Sequence, residues 1–331
     1  MSRFFHRVAQ GHPSLEMLVA AAFGAVVAMG LAPAAIAAAE GGPLPAKKLA
    51  LTTSDGVSLA AWYYPAGEGT SPKATVIVVH DLEGSHESVE PLSKSLQQSG
   101  YAVVAPDLRG HGASTSRIGP AGRGGELDAA SLRKADLLAI AASAGGRIRD
   151  HATARGDLEA VYGWIKDQSE SLDANRLCIV GSGAGGTLTM LWTIADAAWP
   201  PTTKGPQGGH VRAIAMISPE WMVKGGISIT PAIKANPIGR TLPIMLISGS
   251  SDKDARKITD QLKSMRPKQW IVQGPGEKRE IADGLEKTSD ASVFCIHAAS
   301  PLSADKLAGD TESRIPTMVT AFLDLAMGDA R

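Results

Sequence analysis

A serine attacks a carbonyl carbon only when a base takes its proton and the backbone presents its hydroxyl to the substrate. Gly-x-Ser-x-Gly on a sharp strand-to-helix turn is one arrangement that presents it. The run Gly181-Ser182-Gly183-Ala184-Gly185-Gly186 follows the apolar stretch Leu177-Cys178-Ile179-Val180 and has the glycines for such a turn, but its middle residue is Gly183. Glycine tolerates the backbone the turn needs, so a bend without its hydroxyl is expected. Ser182 lies one place early, and on a strand end a one-residue shift reverses the side chain's direction. Its use as a nucleophile would need a rebuilt turn. The same run satisfies Gly-x-Gly-x-x-Gly, the phosphate-binding turn of dinucleotide sites. That chemistry wants an acidic residue about twenty positions on, at the end of the next strand, whereas Asp196 falls inside a helical stretch. No cofactor is expected.

Hydrophobic spacing outlines the elements that must position these residues. Two extended runs across 47–64 flank Asp55-Gly56, a hairpin turn. Short runs at 74–79, 101–105, 177–180, 211–217 and 244–247 are apolar on both faces, as strands buried between helix layers are. Residues 269–272 and 292–296 are further candidate strands. Helical spacing occupies 89–99, 132–142, 157–165, 187–197, 255–265 and 316–327, and the Gly- and Ser-rich stretch 110–125 reads as a loop or small insertion. Strands alternating with helices imply an α/β chain with a mostly parallel sheet covered on both faces. Ligands of such sheets bind beyond the carboxyl ends of the strands. Those ends carry His80, Asp107, residues 181–186, Ser218, residues 249–252 and His297.

At 331 residues, 44% of them hydrophobic, the chain supports one large core without disulfide or metal. Lys plus Arg equals Asp plus Glu at 33 each, so no charge excess draws it to nucleic acid. Cys178 and Cys295 lie in apolar strand-like runs and read as small buried hydrophobes, and no His/Cys spacing suggests a metal site. Arg3 and Arg7 precede an apolar run at 18–39 with small-x-small patterns ending at Ala37 and Ala39. This reads as an export signal over 1–39, with an uncleaved membrane anchor as the competing reading. A single domain over 45–329, periplasmic or extracellular, is expected to follow it. Membrane contact is expected only if the signal is retained.

Four segments together resemble the α/β-hydrolase family, esterase- and lipase-like, over roughly residues 49–327. They are Val76-Ile77-Val78-Val79-His80-Asp81-Leu82-Glu83-Gly84, Ala105-Pro106-Asp107-Leu108-Arg109-Gly110-His111-Gly112-Ala113-Ser114, the run 177–186, and Pro243-Ile244-Met245-Leu246-Ile247-Ser248-Gly249-Ser250-Ser251-Asp252. The resemblance implies an α/β-hydrolase fold, an oxyanion region at Asp81, Leu82 and Ala184, and an acid at Asp252 with Asp254 nearby. It implies a histidine after the last strand, a position for which His297 and Ser303 compete. It also implies loop-bracing roles for His80, Asp107, Arg109 and His111. Asp81 stands where the family usually has glycine, and a carboxylate there opposes the charge the amides should hold. The expectation is an elbow degenerate at Gly183, a vestigial catalytic set of Ser182, Asp252 and His297, and a non-catalytic protein binding a small apolar or acyl ligand or a partner. The alternative is a hydrolase of carboxylic esters or related acyl compounds. It would use Ser182, or a serine from 110–125 or 249–251, with Asp252 and His297. A third reading has His297 activate water.

Overall fold

The computed structural model describes residues 43–119, 124–142, 156–201, 203, 208–267, 269–273 and 292–328. The expected export signal lies outside them. Among the described residues no helix is long and apolar enough to cross a membrane.

Strands β1 (Lys47–Thr52) and β2 (Val57–Tyr64) form the hairpin around Asp55-Gly56. They are followed by β3 (Thr75–Val79), β4 (Ala102–Pro106), β5 (Ser116–Ile118) and β6 (Gly124–Glu126). Then come β7 (Leu177–Ser182), β8 (Val211–Ile217), β9 (Met222–Val223) and β10 (Ile227–Ser228). The last are β11 (Ile244–Ser248), β12 (Trp270–Gln273) and β13 (Val293–His297). The main sheet runs β12-β13-β11-β8-β7-β3-β4-β2-β5-β6, with β1 on β2, while β9 and β10 pair separately. Neighbours from β12 to β4 are parallel, and those beyond are antiparallel. The expected α/β-hydrolase architecture, a mainly parallel sheet between helix layers, is therefore present.

The helices are α1 (Glu90–Gln98), α2 (Lys134–Ile140), α3 (Asp157–Asp167), α4 (Gly183–Ala197), α5 (Thr230–Lys234), α6 (Lys253–Met265), α7 (Ala304–Ala308) and α8 (Ile315–Gly328). Side-chain alternation along each buried strand divides the core between two faces. Val76 and Val78 meet Leu92 and Leu96 of α1 and Phe322 of α8 on one face. Ile77 and Val79 share the other with Leu158 of α3, Leu188 of α4 and Leu262 of α6. Cys178 and Cys295 fall in these two separate core clusters and are both free thiols.

The start of α4 and the stretch 110–125 depart from the sequence expectation, as do the short strands β9 and β10, which fall where loop with short helices is expected. Helix α4 starts at Gly183 rather than near 187, because its glycine-rich first turn packs directly on the end of β3. A Cβ at Gly185 would collide with the His80 carbonyl. Close tertiary approach thus overrides the weak helix propensity of glycine. The stretch 110–125 is not wholly loop, since its second half supplies the edge strands β5 and β6.

The loop after β4 is held by buried charge. The Asp157 carboxylate, at the start of α3, accepts the Arg109 backbone N–H at 2.8 Å, its Nε at 2.9 Å and its Nη2 at 2.7 Å. The other side of the guanidinium bonds Asp55 in the β1–β2 turn. Removing one partner of a buried pair leaves the other charge uncompensated. Asp157→Ala is therefore expected to lower unfolding free energy by roughly 3–5 kcal/mol in urea denaturation. Glu90→Ala, which breaks the exposed Glu90–Lys94 pair, is expected to cost no more than about 0.5 kcal/mol.

Candidate active site

All the parallel strands deliver their carboxyl ends to one edge of the sheet, and the site residues come from those ends. At the β7–α4 bend Ser182 is extended, with φ −116° and ψ 139°, and Gly183 takes the left-handed region at φ +54°. The turn is thus fully built. Its apex space is filled from outside: a Cβ at Gly183 would run into the Asp81 carboxyl group. Asp81 Oδ1 accepts the N–H of Leu82 and the N–H of Ala184, each at 2.8 Å. The pair of amides expected to hold a developing oxyanion therefore holds a carboxylate of the protein itself. The Asp81 N–H donates to Asp305 Oδ1 at 2.9 Å, which fixes the loop from the side of α7. Burial raises the Asp81 pKa, against the lowering effect of the Ala184 and Leu82 amides, while Asp305 and Glu83 add to the rise.

The serine and histidine of the edge meet elsewhere. In the parallel ladder of β11 and β13, Ser248 lies directly opposite His297. Their side chains touch, with Ser248 Oγ 2.6 Å from His297 Nδ1. The serine is fully buried and the histidine partly exposed. The His297 pKa is lowered, first by burial and then by the positive charges of Arg256 and Lys263 on α6, with Asp260 opposing them. A lowered pKa keeps the imidazole neutral near pH 7, the form that accepts a proton.

This pair corrects the expectation of a degenerate, non-catalytic site: the chain does assemble a serine–histidine couple, at Ser248 rather than at Ser182. Ser182 Oγ is buried without a hydrogen-bond partner among the described residues. Asp252 does not bond the imidazole. It caps α6, its Oδ1 accepting the Ala255 N–H at 3.0 Å, and Asp254 accepts the Trp221 N–H. Ser303 lines a cavity of about 380 Å³ together with Asp81, Gly183, Ser218 and Glu220, and His297 is not in that wall. His297 and Ser303 thus serve different places on the edge. Ser248 escaped sequence reasoning by one residue, since the loop serines considered began after Gly249. The available signal was that Ser248 and His297 each close an apolar strand.

The bracing residues act as expected. The Leu108 N–H donates to His80 Nε2 at 2.9 Å, so His80 Nδ1 carries the hydrogen that it donates to the Asp81 carbonyl. Burial pushes the His80 pKa down to about 4. Asp107 accepts the backbone N–H groups of His86 and Ala113, and His111 spans the carbonyls of Arg109 and Leu82. Among the described residues no cluster of three or more His, Cys, Asp or Glu is placed to hold a metal ion.

Gly183→Ser puts a side chain into the volume of the Asp81 carboxylate and a non-glycine residue into left-handed backbone, which alone costs about 1–2 kcal/mol. The single variant is expected to be destabilised. Adding Asp81→Gly should recover part of the loss, with a coupling of about 1 kcal/mol or more in a double-mutant cycle of thermal or urea unfolding.

The family model described as serine aminopeptidase, S33, matches residues 70–266. A candidate carboxymethylenebutenolidase of Methylorubrum extorquens is 25% identical over 202 residues. The match covers 61% of each protein, so the chain spans about three fifths of the length of that curated relative. Among solved structures, the Pyrococcus furiosus esterase Pf2001 is 16% identical with a TM-score of 0.53, over 85% of this chain and 90% of that one. A thermostable carboxylesterase cloned from a metagenomic library is 14% identical with a TM-score of 0.51, over 87% and 88%. These two likenesses establish the fold.

Proposed function

Because the chain belongs to the serine aminopeptidase S33 family, we propose that it hydrolyses carboxylic esters or related acyl compounds with Ser248 and His297 acting together. The observation that carries this reading is the 2.6 Å contact between Ser248 Oγ and His297 Nδ1. His297 takes the hydroxyl proton as Ser248 Oγ attacks the acyl carbon, then gives it to the departing alcohol. Water, deprotonated by the same nitrogen, releases the acyl group from the serine. Ser248 is fully buried and His297 is partly exposed, so the histidine is the member of the pair that faces solvent. This reading replaces the expected non-catalytic binder, and the small acyl ligand becomes the substrate. Export through the 1–39 segment belongs to the same proposal, and N-terminal sequencing of the mature chain should begin just after Ala37 or Ala39.

The test is hydrolysis of short-chain aryl esters by the purified protein. Ser248→Ala and His297→Gln should each lose about a thousandfold or more in kcat/KM while remaining folded. A fluorophosphonate probe should label Ser248 stoichiometrically. Labelling at Ser182 instead, or turnover no greater than the buffer blank, would refute the assignment. Since only neutral imidazole accepts the proton, activity should rise with pH and level off below the ordinary histidine range. Arg256→Gln removes a positive neighbour, raises the His297 pKa and should move that acid limb to higher pH.

A further inference from the structure

Arg266 caps the end of α6 and is only 3% exposed, yet it forms no ion pair among the described residues. Its Nε donates to Gln269 Oε1 at 3.1 Å, its Nη1 to the Ile238 and Leu242 carbonyls at 3.2 and 2.7 Å, and its Nη2 to Ser292 Oγ at 2.6 Å. Every one of these acceptors is neutral. A guanidinium has five N–H donors, so one on Nη2 is left without an acceptor among the described residues. Burial pushes the Arg266 pKa down to about 10, which still leaves the side chain charged near neutrality. The carboxyl end of a helix carries roughly half a negative charge, and that compensates only part of it. Buried charges are ordinarily paired.

The same arginine lines a cavity of about 310 Å³ with Gly239, Arg240, Met265, Pro267 and Gln269. Among the described residues this wall has two arginines and no carboxylate. The Arg240 side chain is exposed and makes no hydrogen bond or ion pair there. The Gln269 amide is oriented by its neighbours, because Oε1 accepts from both Arg266 Nε and Ser292 Oγ. Its Nε2 is therefore a donor, and it too has no acceptor among the described residues. The uncommitted polar side-chain groups of the wall are thus all donors, and Met265 and Pro267 add an apolar side. The carbonyl of Leu242, which holds Arg266, lies just before β11, whereas Ser248 ends that strand. The cavity is accordingly separate from the serine–histidine pair.

We infer that this cavity is a binding site for the phosphate monoester of a small organic molecule, held by Arg240, Arg266 and Gln269. A phosphate monoester carries about −1.5 to −2 charges near pH 7, which balances the two guanidinium groups. Planar guanidinium presents its N–H donors in a fork that fits phosphate oxygens. The ligand supplies the counter-charge that Arg266 lacks and an acceptor for its remaining Nη2 hydrogen. Arg240, whose side chain has nothing to release, turns onto the phosphate from the cavity mouth, and the Gln269 Nε2 donates to a further oxygen. Met265 and Pro267 meet the organic group, which is why an ester fits the wall better than the bare ion. Bound there, the ligand ties the end of α6 to the loop that leads into β11 and to Gln269 just before β12.

The experiment uses the full protein with phenyl phosphate, inorganic phosphate or sodium chloride at matched ionic strength, read by thermal unfolding and by titration calorimetry. Phenyl phosphate should raise Tm along a saturable curve and bind once per chain, since a ligand that binds only the folded state stabilises it. Inorganic phosphate should bind more weakly, because it lacks the apolar contact. Arg240→Ala should weaken phenyl phosphate binding by about tenfold or more, and Arg266→Gln should abolish it. The Arg240 side chain is exposed and unbonded, so its variant keeps the test intact if Arg266→Gln fails to fold. Inorganic phosphate binding as tightly as the ester overturns the assignment of the ligand. No Tm shift beyond the chloride control, or unchanged affinity in Arg240→Ala, overturns the site.

Discussion

Strands β13 to β4 are joined by parallel pairings and are largely buried on both faces, and this arrangement dictates where polar chemistry sits. An unpaired polar side chain along a strand with apolar layers above and below costs free energy, so such groups are few there. Polar groups therefore gather where the strands end. Because the strands are parallel, their carboxyl ends share one edge, and His80, Asp107, Ser182, Ser218, Ser248 and His297 all lie there. The fold makes a reactive edge before any particular residue is chosen for it.

Register then decides which of these residues meet. Ser248 and His297 are direct partners across adjacent parallel strands, so their side chains leave the sheet on the same side and come within hydrogen-bonding distance. Helix α6 covers that side and supplies Arg256 and Lys263, whose charges help to keep the imidazole neutral. A few strands away the bend between β7 and α4 follows a different electrostatic plan. Its two amides point at a carboxylate that the protein provides, and the geometry of the bend is preserved around Asp81 rather than around an apical hydroxyl.

Both arrangements rest on loops whose charged groups are satisfied internally. Arg109 is clamped by Asp157 and Asp55, which ties the loop after β4 to α3 and to the first hairpin. His80 connects that loop to the one carrying Asp81, since it accepts from Leu108 and donates to the Asp81 carbonyl. Asp305 reaches across from α7 to the Asp81 N–H. Positioning of this kind limits the reorganisation required when charge develops in a reaction.

The buried parallel strands, the first hairpin and most of the helices were legible in the sequence, because each depends on local spacing, whereas the bracing of the loop after β4 was legible only through the family resemblance. Gly183 was equally legible as an apex without a hydroxyl. The pairing of Ser248 with His297 was not, since it depends on which strands become neighbours and in what register, and no short segment encodes that. Asp252 shows the same limit: its place in the chain suited an acid, but the start of α6 claimed its carboxylate as a cap. Asp81 was visible as a departure from pattern, yet only the folded chain brings its carboxylate onto the Ala184 amide, more than a hundred residues away. Local periodicity and composition thus determined the architecture. Contacts between distant strand ends, made only when the sheet closes, decided which side chains share a proton.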